Sequence, residues 1–186
     1  LPPQDPNPSL LLALRPWPSG APPLLEVEAA LFGWLDERAL TSGIKGTGYL
    51  ERIQALRESI RVGAEEALLR NSMGRLVEGA AANLFGVREG VLLAPGVRDG
   101  ALAGITRGIL LGLAEELGVE VLERGIDPVE LPDLTELFLS STLREVAAVV
   151  RVEGVAIGDG RPGPLTSRLR EEFRALVDRE RGGGTL

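Results

Sequence analysis

The sequence predicts an α+β domain in which a barrel-like sheet carries its helices on the outside. Three observations lead there. Short apolar runs separated by turn residues succeed one another between positions 67 and 93, which is the pattern of an antiparallel meander. Helical periodicity recurs in only three places, after residues 49, 105 and 165, so strands and helices do not alternate as they would in a doubly wound parallel sheet. The length of 186 residues suits one domain, able to bury roughly 70% of the surface of its unfolded chain.

Taken in order, residues 1–23 hold most of the prolines, in Pro2-Pro3, Pro6, Pro8, Pro16, Pro18 and Pro22-Pro23, around one apolar run from Leu10 to Leu14. This reads as an extended connector containing a short strand, with the domain itself over 24–181. A strand is expected over 24–33, then a segment ending near Thr41 and a glycine-rich loop, Ser42 to Gly48. Tyr49, Ile53, Leu56 and Ile60 recur at helical spacing with Glu51, Arg52, Arg57 and Glu58 between them, so an amphipathic helix should leave that loop. Strands are expected over 67–70, 75–77, 83–87 and 91–93. A second helix over 105–117 should turn Ile109, Leu110, Leu113 and Leu117 inward and stop at Gly118. Further strands follow over 119–122, 137–141 and 146–152. A last helix over 165–177 precedes a flexible tail, 182–186.

Composition narrows the chemistry. With no cysteine and no histidine, the chain offers no thiol nucleophile, no zinc site of the usual kind and no Ser-His or Cys-His pair. The formal net charge of -7 argues against nucleic acid and anionic membranes as partners. No charged-then-apolar leader opens the sequence and no long uncharged apolar stretch occurs, so the expected location is cytoplasmic. Acid-base work falls to carboxylates, Lys45 or Tyr49.

Lys45 is the only lysine among 20 basic residues. An ε-amine can lose its proton and condense with a carbonyl, whereas a guanidinium stays protonated. A lysine kept where arginine serves elsewhere therefore suggests a Schiff base with an aldehyde cofactor or a carbonyl substrate, the alternative being an exposed lysine that happens to be alone. Gly43, Gly46 and Gly48 match neither a Walker loop nor a dinucleotide fingerprint. Gly104-Ile105-Thr106-Arg107 opens a helix with free backbone N-H groups and a hydroxyl, which is an anion site or an ordinary helix start. Ser140-Ser141-Thr142 ends a strand with clustered hydroxyls that would close the same pocket or simply form a turn. Glu78, entering the small residues 79–82, either points to water or faces a cationic ligand atom.

In order and separation these pieces resemble the fold-type IV, or class IV, pyridoxal-phosphate aminotransferases, a group that includes branched-chain aminotransferase, D-amino-acid aminotransferase and aminodeoxychorismate lyase. The matching stretches are Ile44-Lys45-Gly46-Thr47-Gly48-Tyr49-Leu50, Glu78-Gly79-Ala80-Ala81-Ala82-Asn83-Leu84-Phe85, Leu102-Ala103-Gly104-Ile105-Thr106-Arg107, Ser141-Thr142 and the tail Gly158 to Thr166. The resemblance implies the large C-terminal domain of the D-amino-acid aminotransferase-like fold with the small N-terminal domain missing, a pyridoxal 5'-phosphate cofactor, a small-molecule amino substrate and a homodimer. It implies that Lys45 holds the cofactor and shuttles the substrate proton, and that Glu78 pairs with the ring nitrogen. Gly104, Ile105, Thr106, Ser141 and Thr142 would hold the phosphate, Tyr49 would lie near the phenolic oxygen, and Asn83 would bracket the Glu78 turn. Ala94 stands where members often have threonine. Tyr49-Leu50-Glu51-Arg52 and Leu143-Arg144-Glu145-Val146 look closest to the lyase members, so the expected reaction is conversion of 4-amino-4-deoxychorismate to 4-aminobenzoate and pyruvate. Branched-chain or D-amino-acid transamination is the alternative, and a non-catalytic domain of the same fold is a second one.

Overall fold

The computed structural model describes residues 25–40, 42–46 and 48–183, so the connector and strand expected over 1–23 lie outside the described residues. The elements run β1 (Leu25–Trp34), α1 (Leu50–Arg61), β2 (Glu66–Arg70), β3 (Leu76–Gly79), β4 (Asn83–Arg88), β5 (Val91–Leu93), α2 (Ile105–Glu116), β6 (Val121–Leu122), β7 (Glu136–Ser141), β8 (Glu145–Val152), β9 (Val155–Ala156) and α3 (Pro164–Gly183). Two 3-10 turns, Val97–Asp99 and Pro128–Asp133, complete them.

β1 pairs in parallel with β2 on one side and β8 on the other, strands drawn from opposite ends of the described sequence. Parallel neighbours need a crossover, and α1 supplies the one to β2. β2, β3, β4 and β5 follow one another antiparallel, as the meander pattern predicts. β7 lies antiparallel between β4 and β8. The six strands β1-β2-β3-β4-β7-β8 therefore close into a ring, through the single pair Glu78–Asn83 where β3 turns into β4. β5, β6 and β9 extend the sheet beyond it.

Alternation along the strands divides the core. Leu68, Leu84, Leu137, Leu139 and Val149 meet Leu76 and Ile126 in one cluster, to which every strand of the ring contributes. Their sequence neighbours Phe85 and Phe138 face the other way, stacked with ring centroids 4.8 Å apart beneath Leu110 and Leu113 of α2 and Leu169 and Phe173 of α3. A third cluster, Ala55, Ala67, Leu69 and Ala80, seats α1.

α1 departs from expectation. Ile53 and Ile60 are 52% and 59% exposed, and the helix buries Ala55 and Ser59 instead, with Leu56 half-buried. Small residues let the helix backbone come close to β1 and β2, where Gly33 faces Ala55 directly. α2 buries Leu110 and Leu113 as expected and leaves Leu117 partly exposed. It ends where Gly118 takes φ +73°, with the Gly118 N-H donating to Glu115. The strand expected over 119–122 is only two residues long. α3 runs on through Gly183, past the end expected at Val177 and into the expected tail, because two terminal glycines cost a 20-residue helix only about 1 kcal/mol each. No described helix is long and apolar enough to cross a membrane.

Candidate active site

The loop before α1, the β3–β4 hairpin, the start of α2 and the β7–β8 hairpin enclose a cavity of about 700 Å³, within the usual range for small-molecule sites. All the residues singled out from sequence line it: Lys45, Tyr49, Glu78, Gly104, Ile105, Thr106, Ser141 and Thr142.

Lys45 sits in irregular backbone whose bonds are local, such as Gly46 N-H to Ile44, and its side chain is exposed to the cavity. The Lys45 Nζ lies 3.3 Å from the Tyr49 hydroxyl and 5.6 Å from the centre of that ring. Glu78 is only 3% exposed, so the cation its small-residue surroundings seemed to demand must be close. It is Arg52, one face of α1, whose Nη2 pairs with Glu78 Oε1. The other carboxylate oxygen accepts the Leu102 N-H at 3.3 Å. Burial pushes the Glu78 carboxyl above its ordinary range, and Arg52, the Leu102 N-H and Lys45 oppose that rise.

Leu102 is held through both its backbone groups, since Asn83 Nδ2 donates to its carbonyl at 2.8 Å. That bracket fixes how the chain enters α2. Gly104 is the residue before the helix, in extended conformation, and a Cβ there would fall 2.1 Å from Asn83 Oδ1. No side chain caps the first turn of α2, so its leading N-H groups and the buried Thr106 are open to an anion. Beside Thr106 the Ser140 hydroxyl is buried without a partner, an orphan that a ligand or ordered water would satisfy. Arg107 anchors the turn from behind, donating to Pro95 O at 3.1 Å and to Glu123 at 2.6 Å.

The β7–β8 hairpin presents Thr142 in a three-residue loop, and Glu145 takes φ +55° to close it while pairing with Arg174 at 2.8 Å. Arg144 reaches across to Glu66, whose other oxygen accepts the Ala67 and Ala80 N-H groups at 3.0 Å each. Glu66 therefore ties the hydroxyl-bearing hairpin to the turn that carries Glu78. Sequence reasoning placed Arg52 among the polar positions of α1, named Ser140 only within its hydroxyl cluster and Arg144 only in choosing among family members, and passed over Glu66. For Arg52 the only signal was its place on the helical repeat, three residues beyond Tyr49. The others depend on pairings too far apart in sequence to be read there.

A nucleophilic amine, a buried carboxylate and a helix N-terminus with an unpaired hydroxyl thus face one space. That donor set fits a ligand carrying a carbonyl, a cationic ring nitrogen and a phosphate. The family model described as amino-transferase class IV matches residues 2–152. The branched-chain-amino-acid aminotransferase of Escherichia coli (strain K12) is 35% identical over 96% of this chain and 60% of its own length. The crystal structure of the Escherichia coli branched-chain amino acid aminotransferase superposes with a TM-score of 0.78 at 35% identity, over 82% of this chain and 52% of that one. That of the branched-chain amino acid aminotransferase from Thermobaculum terrenum in PLP-form gives 0.76 at 32% identity, over 82% and 51%. The chain spans about 60% of the length of the curated relative and about half of the solved chains.

Proposed function

The chain belongs to the class IV aminotransferases, and on that premise we propose that it binds pyridoxal 5'-phosphate through residues 24–181 and transfers the amino group of a branched-chain amino acid. The observation that carries the reading is the convergence of Lys45, Glu78 and the open first turn of α2 on one cavity. When bound, the cofactor supplies an electron sink for the carbon that loses its proton.

Each residue then has one task. Lys45 would hold the cofactor by its carbonyl carbon, and its amine would carry the proton of the substrate α-carbon. Glu78 accepts the ring nitrogen's N-H. Ile105 and Thr106, with Ser141 and Thr142, hold the phosphate, and Gly104 gives the backbone the room to do so. Tyr49, in contact with the Lys45 amine, orients it. Leu35, Ile44, Ala81 and Leu102 add apolar surface suited to an aliphatic side chain.

The relatives favour branched-chain transamination over the lyase reaction expected first from sequence. The two stretches behind the lyase reading have packing duties that account for them: Arg52 pairs with Glu78, Arg144 with Glu66 and Glu145 with Arg174. We keep the homodimer as part of the proposal, supported by the apolar Leu50, Ile53 and Ile60 that α1 leaves in solvent, and sedimentation velocity tests it.

Mixing the protein with pyridoxal phosphate should give a visible absorption band. Borohydride should fix the added mass on the peptide containing Lys45, and Lys45→Ala should show neither. Loaded protein given leucine and an acceptor oxo acid should then form the oxo acid of leucine. Release of 4-aminobenzoate from aminodeoxychorismate, without transamination, would reverse the choice of reaction.

A further inference from the structure

We propose that Arg52 is a positioning residue that keeps Glu78 ionised and aimed into the cavity, and so sets how firmly the site holds a protonated ring nitrogen. The inference rests on the cofactor reading above for its last clause only. Its first part concerns the ligand-free protein.

The geometry leaves Arg52 little else to do. It lies in the first turn of α1, seven residues beyond Lys45, and is mostly buried. Its Nη2 pairs with Glu78 Oε1 and its Nη1 lies 3.5 Å from the Gly79 carbonyl, so the guanidinium spans the last two residues of β3. Its carbon centre stands 5.7 Å from the centre of the Tyr49 ring, and that hydroxyl touches Lys45. A single chain of contacts therefore runs from the reactive amine through Tyr49 and Arg52 to the carboxylate. Moving α1 would move both ends together.

Electrostatics gives the pair its purpose. A carboxylate this buried would take up a proton unless a cation met it, and a protonated Glu78 could not accept an N-H on the same oxygen. The groups that face it are Arg52 from α1, the Lys45 amine from the preceding loop, the Leu102 N-H from the segment before α2, and Glu66 from β2, whose carboxyl carbon lies near Gly79. Asp36 and Glu51 line the same cavity. Arg52 is the only one of these in direct charge-to-charge contact with Glu78. A cationic ring nitrogen arriving at this carboxylate would share it with a guanidinium already in place. Arg52 thus prepares the anion and limits the proton affinity of the pair it forms.

The test reads the ligand-free protein first. With 13C-labelled glutamate, and the Glu78 signal assigned by its loss in Glu78→Gln, the carboxyl titration of Glu78 should move up by about one to three pH units in Arg52→Gln. Arg52→Lys, which keeps a charge, should recover most of that shift. If Arg52→Gln does not fold, Arg52→Met keeps much of the stem and reads the same titration. In protein loaded with pyridoxal phosphate, the pH at which the absorption spectrum reports loss of the ring-nitrogen proton should rise in Arg52→Gln. A Glu78 titration that Arg52→Gln and Arg52→Met leave in place, or a lysine variant that titrates like the glutamine one, overturns the proposal. Loss of the Lys45 adduct in the wild type sinks the cofactor reading instead, and the ligand-free titration still decides the role of Arg52.

Discussion

Gly104 shows how much of this site is decided by single atoms. Its missing Cβ makes room for Asn83, and Asn83 holds the carbonyl of Leu102, the residue whose N-H meets Glu78. Gly104→Ala should displace Asn83 and cost about 1–3 kcal/mol, the usual penalty for overpacking, in chemical denaturation. It should also weaken inorganic phosphate binding by the ligand-free protein, measured by calorimetry. The residues with distinctive chemistry were legible in the sequence: a lone lysine, a lone acid among small residues, and a glycine opening a helix. Arg52 was not, because the chain holds many arginines and only the fold shows which one lies against a buried carboxylate.

Among the elements, α3 owes its start to a residue far from it in sequence. Glu136 of β7 accepts the N-H groups of Leu165 at 3.0 Å and Thr166 at 2.7 Å, and the Thr166 hydroxyl at 2.6 Å, doing from a neighbouring strand what an N-cap residue does locally. Glu136→Ala should therefore cost about 1–3 kcal/mol, with Glu136→Gln between it and the wild type in urea denaturation. Glu130, in the 3-10 turn Pro128–Asp133, is held at about 2 chiefly by Arg124, with the Asp127 N-H and Arg88 assisting. Its folded value lies below the unfolded one, so this stabilisation is present above pH 4.5 and is lost as pH falls from there to about 2. Urea midpoints measured across that window should fall less steeply in Glu130→Gln. Glu37, held down to about 2 by Ser72, leaves some slope behind. Strand positions were readable because turn residues bound them. The inward face of α1 was not, since periodicity marks the bulky residues and this helix packs by its small ones.

At the scale of the whole molecule, ring closure brings together strands that the sequence separates, and the parallel neighbours of β1 could not be foreseen from local pattern. Closure also divides the molecule by firmness. β7 is paired on both sides and carries Phe138 and Leu139, both fully buried, whereas residues 36–40 and 42–46 make mainly turn bonds such as Ser42 N-H to Ala39. In hydrogen exchange followed by mass spectrometry, β7 should exchange only on global unfolding and the Lys45 loop by local opening. Equal protection of the two would refute this division. Ligand binding should slow exchange in the loop first. The contact between Lys45 and Tyr49 has a practical side, because this chain contains one lysine and one tyrosine and they touch each other. Isotope labelling of either residue type yields one resonance, and that resonance belongs to the candidate site. Coupling the protein to a sensor chip through lysine amines would, for the same reason, fasten it by the amine that the proposed function needs free.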